Sequence, residues 1–238
     1  MTIKRISIMG KEIRDNMELF TKFAKSEVGL TPKSIDKQAT VASIGAPVVL
    51  EERELRATAV DIFSRLLYDR IIFLSGEVNE ESMDILVAQL LFLDSTDNRD
   101  INIYINSPGG DCYSGLEAVS VMDFIKSDVS TVTLGMAASM GAVIAASGAK
   151  GKRLALPYSR FMLHQPLSNF GTKKFTDSKI ALEEMNSVRD DIYGILSERS
   201  GHSFDEIVHI CENGDKWMKP DEAIRLGFLD GVISPRKR

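Results

Sequence analysis

Residues 101–142 read INIYINSPGGDCYSGLEAVSVMDFIKSDVSTVTLGMAASMGA. Two apolar, β-branched runs, INIYIN (101–106) and VSTVTLG (129–135), flank a segment with helical apolar spacing over 113–126. A strand, a helix and a strand in that order form a right-handed crossover and a parallel pair. The pattern extends in both directions. Upstream, IIFLSG (71–76) reads as a buried strand stopped by Gly76. An amphipathic helix follows over 80–93, with Met83, Leu86, Val87, Leu90 and Leu91 on one face. Downstream, AASMGAVIAASG begins a short helix, and KRLALP and RFMLH supply two further strands. Strands alternating with helices place the chain in the α/β class with a mostly parallel sheet. From Glu54 the spacing is again helical, through Leu55, Ala59, Ile62, Phe63, Leu66 and Leu67.

Residues 176–199 form a longer helical pattern, with Ile180, Leu182, Met185, Val188, Ile192, Ile195 and Leu196 amid dense charge. At 1.5 Å per residue this is a rod of roughly 35 Å. That is longer than one small domain needs, so the helix either covers the core or projects toward another subunit. The first 40 residues hold eight Lys/Arg against five Asp/Glu, a net of +3, although the whole chain carries −5. With the polar stretch TPKSIDKQATVAS (31–43), this sets residues 1–44 apart as an extension or propeptide, leaving 45–238 as one domain.

Composition removes several function classes. Of the 238 residues, 44% are apolar and 26% charged, as in ordinary globular proteins. No apolar run reaches membrane-spanning length, and the charged N-terminus does not read as a secretory signal. Cys112 and Cys211 are the only cysteines, which suits a reducing, cytoplasmic compartment. The negative charge argues against nucleic acid as a partner, and nothing points to a membrane. No CxxC occurs and the histidines are not at ligand spacing, so no metal is expected.

The chemistry concentrates in three places. His202 and His209 read as solvated residues of a polar helical segment, whereas His164 ends an apolar strand, Phe161-Met162-Leu163-His164. Functional groups of parallel sheets gather beyond such strand ends. In Ala137-Ala138-Ser139-Met140-Gly141 a strand runs straight into a serine among small residues and then a helix. This is a nucleophile-elbow arrangement with Ala at the first Gly position of G-x-S-x-G, and small neighbours let the backbone turn sharply. Third, Ser107-Pro108-Gly109-Gly110 directly follows a strand, and paired glycines suit a tight turn with backbone N–H groups close to a ligand. A nucleophilic serine needs a base and an orienting acid. His164 is the base candidate. Asp215 is the best-placed acid, with Asp205 and Asp221 also open on spacing.

Four segments, YINSPGGD (104–111), GMAASMGA (135–142), KGKRLALPYSRFMLHQPL (150–167) and WMKPDEAIRLGFLD (217–230), resemble in order the proteolytic subunits of the Clp protease family. The resemblance spans about Pro47 to Val232 and implies a superhelix of repeated β-β-α units, shared with crotonases, with a projecting handle at about 168–199. It also implies a self-compartmentalised serine endopeptidase. Seven-membered rings of such subunits stack in pairs, and a Clp-family AAA+ unfoldase feeds in unfolded chains. ATP is then used by the partner, and the subunit itself needs no cofactor. Carried over by motif, Ser139 is the nucleophile, His164 the base and Asp215 its orienter, while backbone N–H groups of Gly110 and Met140 form the oxyanion hole. The chain departs from the family at Ser168-Asn169, and at Asn213 and Gly214, where the family often has an Asp-Arg pair. The alternatives are a catalytically silent ring subunit and a crotonase-type acyl-CoA enzyme.

Overall fold

A computed structural model describes residues 48–53, 56–168, 171 and 174–234. The expected extension 1–44 lies outside the described residues. The chain divides into two compact units, one ending at Ile72 and the other beginning at Phe73.

In the first unit, β1 (Val48–Arg53) and β2 (Arg56–Asp61) form an antiparallel hairpin, with Val48 opposite Asp61 and Arg53 opposite Arg56. Helix α1 (Ile62–Tyr68) follows. The helix expected from Glu54 therefore starts only after Asp61. Backbone pairing with β1 occupies residues 56–61, and strand pairing outweighs a weak helical spacing. Asp61 then begins the helix as its N-cap, accepting hydrogen bonds from the Phe63 and Ser64 N–H groups at 3.1 and 3.0 Å.

The second unit realises the α/β reading. Its elements begin within β3 (Ile71–Val78), whose first two residues precede the boundary, and go on with α2 (Glu80–Thr96), β4 (Ile101–Gly110), α3 (Cys112–Phe124), β5 (Val129–Ala138) and α4 (Met140–Ala146). They continue with β6 (Arg153–Ala155), β7 (Arg160–Leu163), α5 (Phe175–Ser200), α6 (Phe204–Glu212), β8 (Lys216–Met218), α7 (Pro220–Arg225) and β9 (Gly231–Val232). The sheet runs β3-β4-β5-β6-β9, and β4–β5, β5–β6 and β6–β9 are parallel. Ile101, Ile103 and Ile105 of β4 point inward, and every residue of α4 is buried. Helix α2 buries Met83, Leu86, Val87, Leu90 and Leu93, and each such side chain stabilises the fold by about 2 kcal/mol. Leu93 takes the place expected of Leu91.

Strand β5 organises the unit because its second edge serves two strands in turn. Thr131–Thr133 pair with β6, and Met136–Ala138 pair with β7. Both later strands thus lie along one parallel neighbour, and β7 continues to the end at which Ser139 stands. Helix α5 buries Val188, Ile192, Tyr193 and Leu196 in its second half, while Phe175, Ile180 and Leu182 in its first half are exposed, Phe175 at 87%. The long helix therefore packs by one end only. Among the described residues no helix is long and apolar enough to cross a membrane.

A buried ion pair ties β6 to the chain before β9. The Arg153 guanidinium donates to both Asp230 oxygens at 2.9 and 2.6 Å, and Asp230 also accepts from the Gly151 and Arg153 N–H groups. Burial works against the Asp230 carboxylate, but these donors outweigh it and hold its pKa below the ordinary 3.8. A carboxyl lowered in the fold contributes stability above its unfolded value and loses it as pH falls through the lowered one. Asp230→Ala is expected to cost about 3 kcal/mol at neutral pH, because it leaves Arg153 buried without its partner. Urea unfolding of variant and wild type should show that gap at pH 7 and a narrowing gap below pH 3.8.

Candidate active site

Register along β5, β7 and β8 assembles the site. Ala138 is opposite Met162 in the parallel pair, so the next residues on the two strands, Ser139 and then Leu163 and His164, leave the sheet at the same end. The Ser139 N–H donates to the Met162 carbonyl at 3.0 Å, which fixes the first residue beyond β5. Strand β8 runs antiparallel to β7 with Leu163 opposite Lys216, so His164 comes level with Asp215. The sequence reading did not anticipate β8, a strand of three residues with no periodicity to reveal it.

Ser139 has φ 53° and ψ −128°, a left-handed geometry rare outside glycine and costing of order 1–3 kcal/mol. The sharp turn presents its hydroxyl, and Ser139 Oγ lies 2.8 Å from His164 Nε2. His164 Nδ1 lies 3.4 Å from Asp215 Oδ1. That is looser than an ordinary N–H···O bond of about 2.7–3.2 Å, as is common in sites without substrate. The His164 side chain is 16% exposed and that of Asp215 59%. The imidazole is thus sheltered while the carboxylate stays hydrated beside a cleft of about 490 Å³ lined by His209, Asn213, Lys216 and Arg225. The segments carrying His164 and Asp215 are also tied directly, since the Gln165 N–H donates to the Cys211 carbonyl at 2.9 Å.

The glycine pair sits against the elbow, but as strand rather than turn. Strand β4 continues through Gly110 instead of stopping at Asn106, with its pairing to β5 shifted between Ile105 and Ser107. A side chain at Gly109, φ 88°, would bring its Cβ 2.5 Å from the Ala138 carbonyl, 2.6 Å from Ser139 Cβ and 2.8 Å from the Met140 nitrogen. Gly110, at φ 151°, has the Val78 carbonyl where a Cβ would stand. Only glycine lets β4 approach the elbow this closely. Gly109 and the Met140 N–H, the first of α4, therefore flank Ser139 from two elements, and Gly110 follows directly on β4 with its Cα side turned to Val78.

Of the open acids, the structure brings Asp215 to His164, while Asp205 and Asp221 lie in the first turns of α6 and α7. His209 is solvated on α6 as expected, with Nδ1 3.0 Å from the Asn213 amide nitrogen. His202 is different. It precedes α6 rather than lying on a helix, and its ring packs 6.2 Å from that of Phe228. Burial raises the Cys211 thiol pKa to about 12, and burial with the neighbouring Asp111 raises that of Cys112. Burial thus disfavours the thiolate form of both cysteines, whereas the Ser139 hydroxyl has an imidazole nitrogen within hydrogen-bonding distance. Among the described residues no group of three His, Cys, Asp or Glu could hold a metal ion.

The family model described as Clp protease matches residues 53–236. The chain is 43% identical over 219 residues to the ATP-dependent Clp protease proteolytic subunit of Bacteroides fragilis (strain YCH46), covering 91% of this chain and 99% of that protein. The corresponding subunit of Porphyromonas gingivalis is 39% identical over 224 residues, 93% of this chain and 100% of its own. That of Streptococcus salivarius is 45% identical over 190 residues, 79% of this chain and 96% of its own. Gly109→Ala is expected to lower the rate of fluorophosphonate labelling at Ser139 by about 10-fold or more, because the new methyl forces β4 off the elbow. Timed labelling followed by intact-mass measurement checks this, and an unchanged rate would contradict the close approach.

Proposed function

The chain belongs to the Clp protease family and is a serine peptidase, and from that premise we propose that it cleaves unfolded polypeptides with Ser139, His164 and Asp215. The observation that carries this reading is the 2.8 Å approach of Ser139 Oγ to His164 Nε2 at a strained elbow. In the proposed reaction His164 Nε2 takes the hydroxyl proton as Ser139 Oγ adds to the scissile carbonyl. The oxyanion forms beside Gly110 and Met140, whose N–H groups receive it. Collapse of this intermediate breaks the C–N bond, and His164 gives the proton to the leaving amine. Water, deprotonated by His164, then releases the acyl group. Asp215 accepts a hydrogen bond from Nδ1–H throughout, which holds the tautomer and stabilises the imidazolium.

The relatives' shared name, proteolytic subunit of an ATP-dependent protease, supports a division of labour. This subunit supplies the hydrolysis and needs no cofactor, while a Clp-family AAA+ unfoldase uses ATP and delivers unfolded chains. The half of α5 that leaves Phe175, Ile180 and Leu182 exposed supports self-assembly through that helix. The assembly proposed is of heptameric rings stacked in pairs, in the cytoplasm. Short peptides then enter unaided, but folded proteins do not. Residues 1–44 are proposed to be dispensable for the fold, and either to be removed by the assembled sites or to be kept as a tail over the ring's axial face.

Ser139→Ala is expected to lower hydrolysis of short fluorogenic peptides by about 10⁴- to 10⁶-fold while leaving assembly intact. Ser139→Ala activity within tenfold of wild type would overturn Ser139 as the nucleophile, whereas a wild-type chain that takes no fluorophosphonate adduct and cleaves no peptide would favour a silent ring subunit. Intact mass tests the extension: a shortened wild-type chain beside a full-length Ser139→Ala chain supports self-removal. Full length for both contradicts self-removal and supports a retained tail.

A further inference from the structure

Ser139 and the glycine pair can meet only because the pairing of β4 with β5 changes register just before them. From Ile101 opposite Val129 to Ile105 opposite Thr133 the two strands keep step. Two residues further along β4, Ser107 stands opposite Ala137, so β5 has advanced by four residues while β4 advanced by two. Leu134, Gly135 and Met136 bridge the difference, and Asn106 is the single β4 residue facing that stretch. Its side chain fills the break in the ladder. Asn106 Oδ1 accepts a hydrogen bond from the Met136 N–H at 3.1 Å, standing in for a strand carbonyl. A side chain at Gly135 would displace this carboxamide, since a Cβ there would lie 2.7 Å from Asn106 Oδ1.

The consequence reaches the site within three residues on each strand. The register restored at Ser107–Ala137 puts Ala138, Ser139 and Met140 against Gly109. Ser107, fully buried, accepts the Gly109 N–H on its Oγ at 3.1 Å and has no space to move, because Gly141 of α4 packs against it. The Gly109 peptide is thereby oriented, and with it the next peptide unit, whose N–H is that of Gly110.

We infer that Asn106 is a positioning residue for the oxyanion hole: its carboxamide holds β5 in the shifted register that sets the Ser139 elbow and Met140 N–H against Gly109–Gly110. This rests on the proposed roles of Ser139, Gly110 and Met140. Asn106 touches none of the reacting atoms. It acts through the two strands, so its loss should weaken binding of the tetrahedral state more than of the substrate.

The test compares wild type with Asn106→Leu, Asn106→Asp and Gly135→Ala in the assembled protein. A fluorogenic peptide and a peptide aldehyde, which adds reversibly to the serine hydroxyl as a tetrahedral hemiacetal, serve as probes. Turnover is expressed per site titrated by fluorophosphonate. Asn106→Leu is expected to lower kcat about 10- to 100-fold with KM within about twofold, and to weaken the aldehyde in step with kcat. Asn106→Asp keeps an acceptor at the same place on an exposed side chain and should recover most of both. Gly135→Ala, which displaces the carboxamide from the other side, should reproduce the Asn106→Leu pattern and add little to it in the double variant. An Asn106→Leu protein with wild-type kcat per titrated site, or one in which kcat and aldehyde affinity do not fall together, overturns the inference. So does a loss that Asn106→Asp fails to recover. Ser139→Ala run alongside separates the two levels, because retained peptidase activity in that variant refutes the nucleophile itself and leaves the Asn106 comparison without its premise.

Discussion

A single hydrogen bond, from the Ser139 N–H to the Met162 carbonyl, lets β5 end in a geometry that most residues avoid. Ser139 at φ 53° would relax if its flanks were loose. It is held on one side by the pairing of Ala138 with Met162 and on the other by helix α4, whose residues are all buried. Strain of this kind persists only where the surroundings over-determine it. Here a parallel strand, a buried helix and the glycines of β4 supply three independent constraints on one residue.

The rest of the site follows from that anchor through β7. Because β7 runs parallel to β5, its last residue leaves the sheet beside Ser139, and His164 arrives at hydrogen-bonding distance without any loop adjustment. Because β8 runs antiparallel to β7, the chain returns with Asp215 level with His164. The supports differ in strength. Ser139 and His164 stand on paired strands around a buried core, whereas Asp215 lies at the tip of a short segment, exposed and 3.4 Å from its partner. The gradient from rigidly held serine to hydrated carboxylate suits the reaction proposed. Attack tolerates little misplacement, while an orienting carboxylate acts through charge as well as contact.

Much of this was legible in the chain, for local reasons. The β-branched runs at 101–106 and 129–135 and the apolar spacing of 80–93 reflect burial on one element at a time, so they can be read without the fold. Ser139 was legible because an elbow demands small neighbours in immediate sequence. His164 was legible because it closes an apolar strand. Where local reading misled, a partner elsewhere in the chain decided. Residues 56–61 are strand because β1 pairs with them, and the SPGG segment is extended rather than a turn because it lies along the elbow. His202 looked solvated until Phe228, distant in sequence, came to rest against it.

By itself, then, the sequence determined the α/β class, the order of strands and helices from the 71–76 run to the long helix at 176–199, the serine elbow and the histidine at a strand end. Each is set by sterics and burial within a window of a few residues. Only the tertiary structure decided that Asp215 rather than Asp205 or Asp221 meets His164, and that Gly109 closes on Ser139. Only it revealed that Asn106 fills a break in the β4–β5 ladder. These depend on register between segments far apart in the chain. Register comes from the pairing of whole strands in a packed sheet, which no local window contains.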